Sequence, residues 1–307
     1  MWKLALHTVS YAGVWRGQAR LGMEETLRRA KELGFEGVML MAKRPHVSPL
    51  DYSEDDRRRL RALLEELGLA VACLACYPDF TAGIDQPMMP FTEVQVLYIA
   101  SLARLAQDLG TKTLRVFTGF ERKGIPFEAH WDACVRGLKE AARRAADFGV
   151  TLAVQNHHDV ASHHEALLWL LEEVDEPNCK AAFDAWAPCL QGIRGEELGA
   201  AVRRMAPFIA HTTCADYVPL PRWHHDPALV NYAAPSPPVY WAVPMGEGIV
   251  DYPAFFQALE EVGYEGWVAF EMCAPLRGGG SLENLDRCAR AFLRYMREER
   301  WRNIGKG

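Results

Sequence analysis

The chain reads as a single α/β domain, a closed (β/α)8 barrel of eight parallel strands, on three observations. Strand-like apolar runs alternate with helical ones along the whole of its 307 residues. A phrase of helix, glycine and buried strand recurs as KELGFEGVML (31–40), EELGLAVACL (65–74), QDLGTKTLRV (107–116), DFGVTLAV (147–154) and EEVGYEGWVAF (260–270). No linker or composition break divides the chain, and a barrel of about 250 residues is routine as one domain.

The glycine of each phrase suits a helix C-terminus, because it takes a left-handed conformation without a Cβ clash. The run behind it suits a strand covered on both faces. In chain order the strands are KLALHTV, GVML, AVACLAC, TLRVF, TLAVQ, KAAFD, FIAHTT and WVAFE. Helical spacing places Leu27, Ala30 and Leu33 on one face of 23–33, and Leu60, Leu63, Leu64 and Leu67 on one face of 54–67. Further helical patterns occupy 92–109, 130–148, 162–174, 196–206, 252–262 and 281–299. Ser53, Ser162 and Ser281 are the expected N-caps, and the first two are followed three residues on by Asp56 and Glu165. Eight such units favour a closed barrel over an open sheet, and no GxGxxG follows the first strand to suggest a dinucleotide.

Residues 216–250 break the pattern, with many prolines and aromatics and little periodicity. The segment follows the seventh strand and is expected as an irregular lid over the mouth or an oligomer contact. Trp223, Tyr232, Tyr240 and Trp241 argue against disorder there.

Composition narrows the function. A net charge of −6 argues against a nucleic-acid partner. No apolar run reaches the roughly 18 residues of a membrane span, and MWKLALHTVSYAG reads as a first strand and not a leader. The eight cysteines, including Cys73 and Cys76 in a CxxC and Cys273, sit mostly in apolar contexts. They are expected as reduced thiols of a cytoplasmic protein.

Strands five to eight end on Gln155 (with His157), Asp184, His211 and Glu271. The C-terminal strand ends of a parallel barrel are where active sites lie, so the four are expected to converge. Carboxylate and amide oxygens with one imidazole, and no sulfur, suit a hard divalent metal: manganese foremost, with magnesium, cobalt and zinc as alternatives. Each residue alone has a structural alternative. Asp184 could cap a helix, His211 could be a satisfied core histidine, and Glu271 could be an ion-pair partner.

These residues carry a resemblance. The QNHH end of strand five, FDAW at strand six, His211, GEGIVDYPAFFQAL (246–259) and GYEGWVAFE resemble the xylose isomerase-like TIM barrels, a group of sugar phosphate isomerases and epimerases. The resemblance spans nearly the whole chain. It implies a metal-dependent sugar isomerase or epimerase working by proton abstraction beside a carbonyl through an enediolate. The implied metal ligands are Gln155, Asp184, His211 and Glu271. The implied substrate is a small sugar or sugar derivative, and the implied assembly is a dimer or tetramer.

The family's strand-five carboxylate is Gln155 here, which can offer its carbonyl oxygen but cannot act as a base. Alternation along the strand makes His157 the expected replacement base, with Glu271 as second proton carrier and His158 turned away. His7, Arg277, Trp186 and Glu247 are expected to touch the substrate. The glycines after Arg277 open onto a helix and could hold an anion or form a plain turn. Metal-dependent lyases and dehydratases acting on keto-sugars, inososes or 3-keto-glycosides share the barrel and form the alternative activity. A non-catalytic sugar-binding subunit and an endonuclease IV-like nuclease rank below it.

Overall fold

A computed structural model describes residues 2–86, 88–228, 232–272 and 275–302. The strands are β1 (Lys3–His7), β2 (Gly37–Met41), β3 (Ala70–Ala75), β4 (Thr113–Val116), β5 (Thr151–Gln155), β6 (Cys179–Ala182), β7 (Ile209–Cys214), β8 (Asp216–His225), β9 (Tyr232–Val243) and β10 (Trp267–Phe270). Eight of them close into a parallel barrel in the order β1-β10-β7-β6-β5-β4-β3-β2. The helices are α1 (Met23–Leu33), α2 (Glu54–Leu67), α3 (Phe91–Asp108), α4 (Phe127–Ala146), α5 (His164–Val174), α6 (Trp186–Leu190), α7 (Gly195–Met205), α8 (Tyr252–Glu261) and α9 (Leu282–Arg297). All five phrase glycines (Gly34, Gly68, Gly110, Gly149 and Gly263) have positive φ, as a tight helix-to-strand turn requires.

Two-residue alternation divides the barrel, apart from one irregularity in the β2–β3 register where the neighbours Ala72 and Cys73 both face inward. Leu4, Leu6, Val38, Leu40, Leu114, Val116, Leu152, Val154, Val268 and Phe270 face outward into the layer beneath the helices. Ala5, Met39, Cys73, Ala75 and Ala269 form a separate interior cluster. The interior is built mainly of small residues, and this leaves room for polar side chains at the mouth. The alternation also explains the CxxC. Cys73 belongs to the interior cluster and Cys76 to the outer one, so the two thiols lie on opposite faces of the sheet. Both are free and buried. Cys273 lies outside the described residues.

Two expectations are corrected. Ser162 does not cap α5: the helix starts two residues later, and His163 is the N-cap, its side chain accepting from the Glu165 amide at 3.2 Å. Ser53 and Ser281 do cap α2 and α9. The segment after β7 is not irregular either. β8 and β9 pair antiparallel from Asp216↔Val243 to His225↔Tyr232. A two-stranded ribbon has a free edge on each strand, so Pro219, Pro221, Pro235 and Pro237 can sit where no ladder donor is needed. The ribbon's base is buried at Asp216 and Tyr217, while Leu220 and Trp223 further out are 44% and 62% exposed. Among the described residues no helix is long and apolar enough to cross a membrane.

Candidate active site

Register brings the strand ends into line. Gln155 pairs with Ala182, and Ala182 with His211, so β5, β6 and β7 reach the mouth at one level. Asp184 lies two residues past Ala182, which returns its side chain to the barrel interior. Gln155 donates through Nε2 to Asp184 Oδ2, and the Thr213 amide donates to Asp184 Oδ1 at 2.6 Å. Trp186 Nε1 adds a longer bond to Oδ2 at 3.3 Å. On the far wall, His7 Nε2 lies 4.0 Å from Glu271 Oε2, and the Glu271 side chain is 18% exposed.

The structural alternatives for Asp184 and His211 fail. Asp184 caps no helix, since the N-cap of α6 is Ala185. His211 is not satisfied: its Nε2 is buried without a hydrogen-bond partner, as are His7 Nε2 and Gln155 Oε1. Burying polar atoms unpaired costs about 1–3 kcal/mol each, so three at one mouth call for a ligand there. Electrostatics reinforce this. Burial, with the nearby Glu271 charge, pushes the Asp184 carboxyl up to about 7. Burial and then the Arg115 charge bring His211 down to about 3 and hold His7 well below its ordinary value.

A free Gln155 Oε1 and His211 Nε2 beside two carboxylates fit a hard divalent cation in donor chemistry. Among the described residues, however, no three His, Cys, Asp or Glu groups are drawn together closely enough to hold a metal. The Asp184 oxygens are instead occupied by Gln155, Thr213 and Trp186.

The other expected residues divide. His157 does not follow the strand alternation, because β5 stops at Gln155 and the chain turns, the His157 amide donating back to the Gln155 carbonyl at 2.7 Å. The ring still reaches the site, 5.1 Å from Trp186 between centroids. Its Nδ1 accepts the His158 amide at 2.8 Å, which leaves the proton of the neutral ring on Nε2. Burial, then His158 and Arg115, bring it down to about 3. In this geometry His157 presents Nε2–H to the site as a hydrogen-bond donor. His158 adopts a left-handed backbone (φ 64) and packs against Phe117 and Phe120, each at 4.1 Å.

Trp186 lines the mouth between His157 and Tyr217, the latter at the ribbon's base. Arg277 and Glu247 lie on loops beyond the strand ends. Both are exposed, Arg277 on the loop after β10 and Glu247 near Cys288 of α9. The glycines beside them have structural work. Gly278 and Gly279 turn with positive φ, and Asn284 binds the Arg277 and Gly279 carbonyls. A Cβ on Gly280 would sit 2.6 Å from Gln18 Cα. The paired histidines His224 and His225 are exposed on the ribbon.

Three residues of the site were given no role by the sequence. Asn156 bridges strands, donating to the Asp184 carbonyl at 2.9 Å and accepting the Asp184 amide at 2.8 Å. Asp216 accepts the amides of Tyr217, Gly246 and Gly248 at 2.9 Å and of Val250 at 3.2 Å. It thereby folds the GEGIV turn around one buried carboxylate, and a Cβ on Gly248 would fall 1.9 Å from its oxygen. The third is Arg115, buried in the barrel at 1% exposure. The central arginine of TLRV stood out in a β-branched run, and alternation with Leu114 and Val116 was the signal that it points inward.

Fold and site together define a (β/α)8 barrel with a polar constellation at its C-terminal mouth. The family model of the xylose isomerase-like TIM barrel matches residues 27–297, and the chain belongs to that family. The putative L-ribulose-5-phosphate 3-epimerase SgbU of Escherichia coli (strain K12) is 26% identical over 262 residues, covering 82% of this chain and 84% of the relative. The L-ribulose-5-phosphate 3-epimerase UlaE of Shigella flexneri is 25% identical over 283 residues, covering 86% and 87%. Similar solved folds include an L-ribulose 3-epimerase at TM-score 0.73 and 18% identity, covering 99% of this chain and 96% of that one. Another is D-psicose 3-epimerase with D-tagatose from Clostridium cellulolyticum H10, at TM-score 0.72 and 18% identity, covering 96% and 98%.

Proposed function

We propose that this barrel is a sugar isomerase or epimerase that removes a proton from the carbon beside a carbonyl, with a divalent cation held by Gln155, Asp184, His211 and Glu271. The observation that carries the reading is the group of buried atoms without a hydrogen-bond partner, His7 Nε2, Gln155 Oε1 and His211 Nε2, at one barrel mouth beside Asp184 and Glu271. The relatives are named as 3-epimerases of a phosphorylated ketopentose, which supports the substrate class. When bound, the cation would polarise the carbonyl and its neighbouring hydroxyl.

The protein's own groups take the remaining parts. Glu271, partly exposed at the mouth beside His7, accepts the proton. His157, a donor through Nε2, binds the oxygen on which negative charge grows, as a neutral imidazole can. Asn156 and Thr213 hold Asp184 in place. Trp186 and Tyr217 wall the pocket on the ribbon side, and we assign the ribbon β8–β9 to covering it. Gln155 cannot return a proton, so one base serves both transfers. Glu271 takes the proton from one carbon and delivers it to the adjacent carbon on the same face of the enediolate, which is the isomerase branch of the reading; the epimerase branch needs a proton donor on the opposite face.

Proton NMR in D₂O tests this, with manganese-supplied protein and a panel of ketopentoses, ketohexoses and their phosphates. Deuterium is expected at one carbon of one sugar, and Glu271→Gln is expected to lower the exchange about 100-fold or more. No exchange from any member, or wild-type exchange in Glu271→Gln, refutes the proposal. Loss of water or an aglycone would mark the lyase chemistry instead.

A further inference from the structure

Arg115 is a charged side chain at the centre of the barrel that has no charged partner among the described residues. β4 aims Leu114 and Val116 at the helices and Arg115 at the barrel axis, level with Ala75 and Ala153 on the flanking strands. Its length carries the guanidinium up to the mouth, where it lies 4.0 Å from the Phe117 ring centroid and 4.7 Å from that of Tyr77. Of its five N–H donors, one hydrogen bond is made among the described residues, from Nη1 to the Cys76 carbonyl at 3.0 Å. Its Nε is buried with no partner. Among the described residues no carboxylate comes within ion-pair distance of it.

A buried guanidinium is normally paired, because taking the charge out of water costs several kcal/mol and one carbonyl returns little of that. Contacts with the two rings return about 2 kcal/mol or more in a desolvated site, which offsets part of that cost and leaves the hydrogen-bonding capacity unused. The aromatic faces also hold the guanidinium plane still, leaving its remaining N–H groups as a preformed fork. Such a fork matches the paired oxygens of a carboxylate or a phosphate.

We propose that Arg115 anchors an anionic group carried by the substrate, a carboxylate or a phosphate, so that the barrel takes a negatively charged sugar derivative in preference to a neutral one. The substrate class rests on the function proposed above, whereas the anion site does not.

Thermal melts of the full chain test the site without any turnover. Wild type, Arg115→Met and Arg115→Lys are titrated with inorganic phosphate and with glycolate, against sodium chloride of matched ionic strength. In wild type one of the two anions is expected to raise the melting temperature, and Arg115→Met to abolish the rise. Arg115→Met without anion should melt no lower than wild type, because it removes an unpaired buried charge. Equal rises in wild type and Arg115→Met, or no rise in wild type, overturn the proposal. A lowered melting temperature in Arg115→Met with the anion response intact would mark a purely structural arginine, and overturns it too.

Should Arg115→Met fail to fold, Arg115→Lys gives the reading. A point charge without the fork should weaken the anion response, and a response identical to wild type overturns the proposal. A rise with phosphate alone assigns a sugar phosphate, and a rise with glycolate alone a sugar acid. An Arg115-dependent rise with no sugar turned over sinks the function proposed above and leaves the anion site standing. Turnover of neutral sugars with no anion response does the reverse.

Discussion

Restoring a carboxylate at the fifth strand end is the sharpest test of the site's electrostatics. In wild type the Gln155 amide donates to Asp184 Oδ2, inside the barrel and away from water. Gln155→Glu replaces that donor with an acceptor of like charge. Two carboxylates about 4 Å apart at an effective dielectric of about 20 repel by about 4 kcal/mol, but with Asp184 already at about 7 the pair escapes by taking up a proton, which at pH 8 costs about 1.4 kcal/mol. The lost hydrogen bond adds about 1 kcal/mol. For a chain of this size 1 kcal/mol is worth about 2 °C, so the variant without divalent ions should melt roughly 5 °C below wild type at pH 8.

The pH dependence has a definite sign. Asp184 already stands at about 7, above an unfolded carboxyl near 4, so its protonation favours the folded state. That contribution is complete below about pH 4 and is lost as the pH rises through 7. A second carboxyl beside it widens the effect. The deficit of Gln155→Glu should therefore close toward pH 4 and open above 7. Manganese, by screening the pair, should narrow it at pH 8. The assay is differential scanning calorimetry across pH 4 to 8, with and without the ion. A variant within roughly 2 °C of wild type at pH 8 without divalent ions would refute the placement of Gln155 against Asp184.

Two further outcomes are expected. Asp216→Ala strips the acceptor from four backbone amides and should cost about 3–5 kcal/mol in urea unfolding, against a much smaller loss for the exposed Asp226→Ala; equal losses would remove Asp216 from its clamping role. His157→Gln should lower kcat about 10–100-fold while the acid limb of the kcat–pH profile stays in place, because the ring stays neutral down to about pH 3. A limb that moves with the substitution would show that His157 itself titrates in turnover.

How much was legible beforehand follows the range of the forces involved. Helices, strand runs and their glycine joints are set by neighbours within one turn or one strand, so they could be read locally. Closure of eight such units into a barrel could be read from their repetition. The inward direction of Gln155, Asp184, His211 and Glu271 followed from alternation, which is a property of any strand. The reading failed where the chain left regular structure. At QNHH the turn after Gln155 ended the alternation, and an amide of the next residue decided which nitrogen of His157 holds the proton. At 216–250, proline content suggested irregularity, although a ribbon open on both edges accommodates it.

By itself, then, the sequence determined an α/β barrel with a polar mouth, because periodicity and chain length leave few other ways to bury these runs. Only the tertiary structure decided what each polar residue faces. Among the described residues, Asp184 is closed by an amide, Arg115 is left without a counter-charge, Asp216 clamps a turn, and Arg277 and Glu247 stay in solvent. Such pairings join strands and loops that are far apart in the chain. Their energies depend on burial and on separations of a few ångströms, and the closed barrel is what sets both.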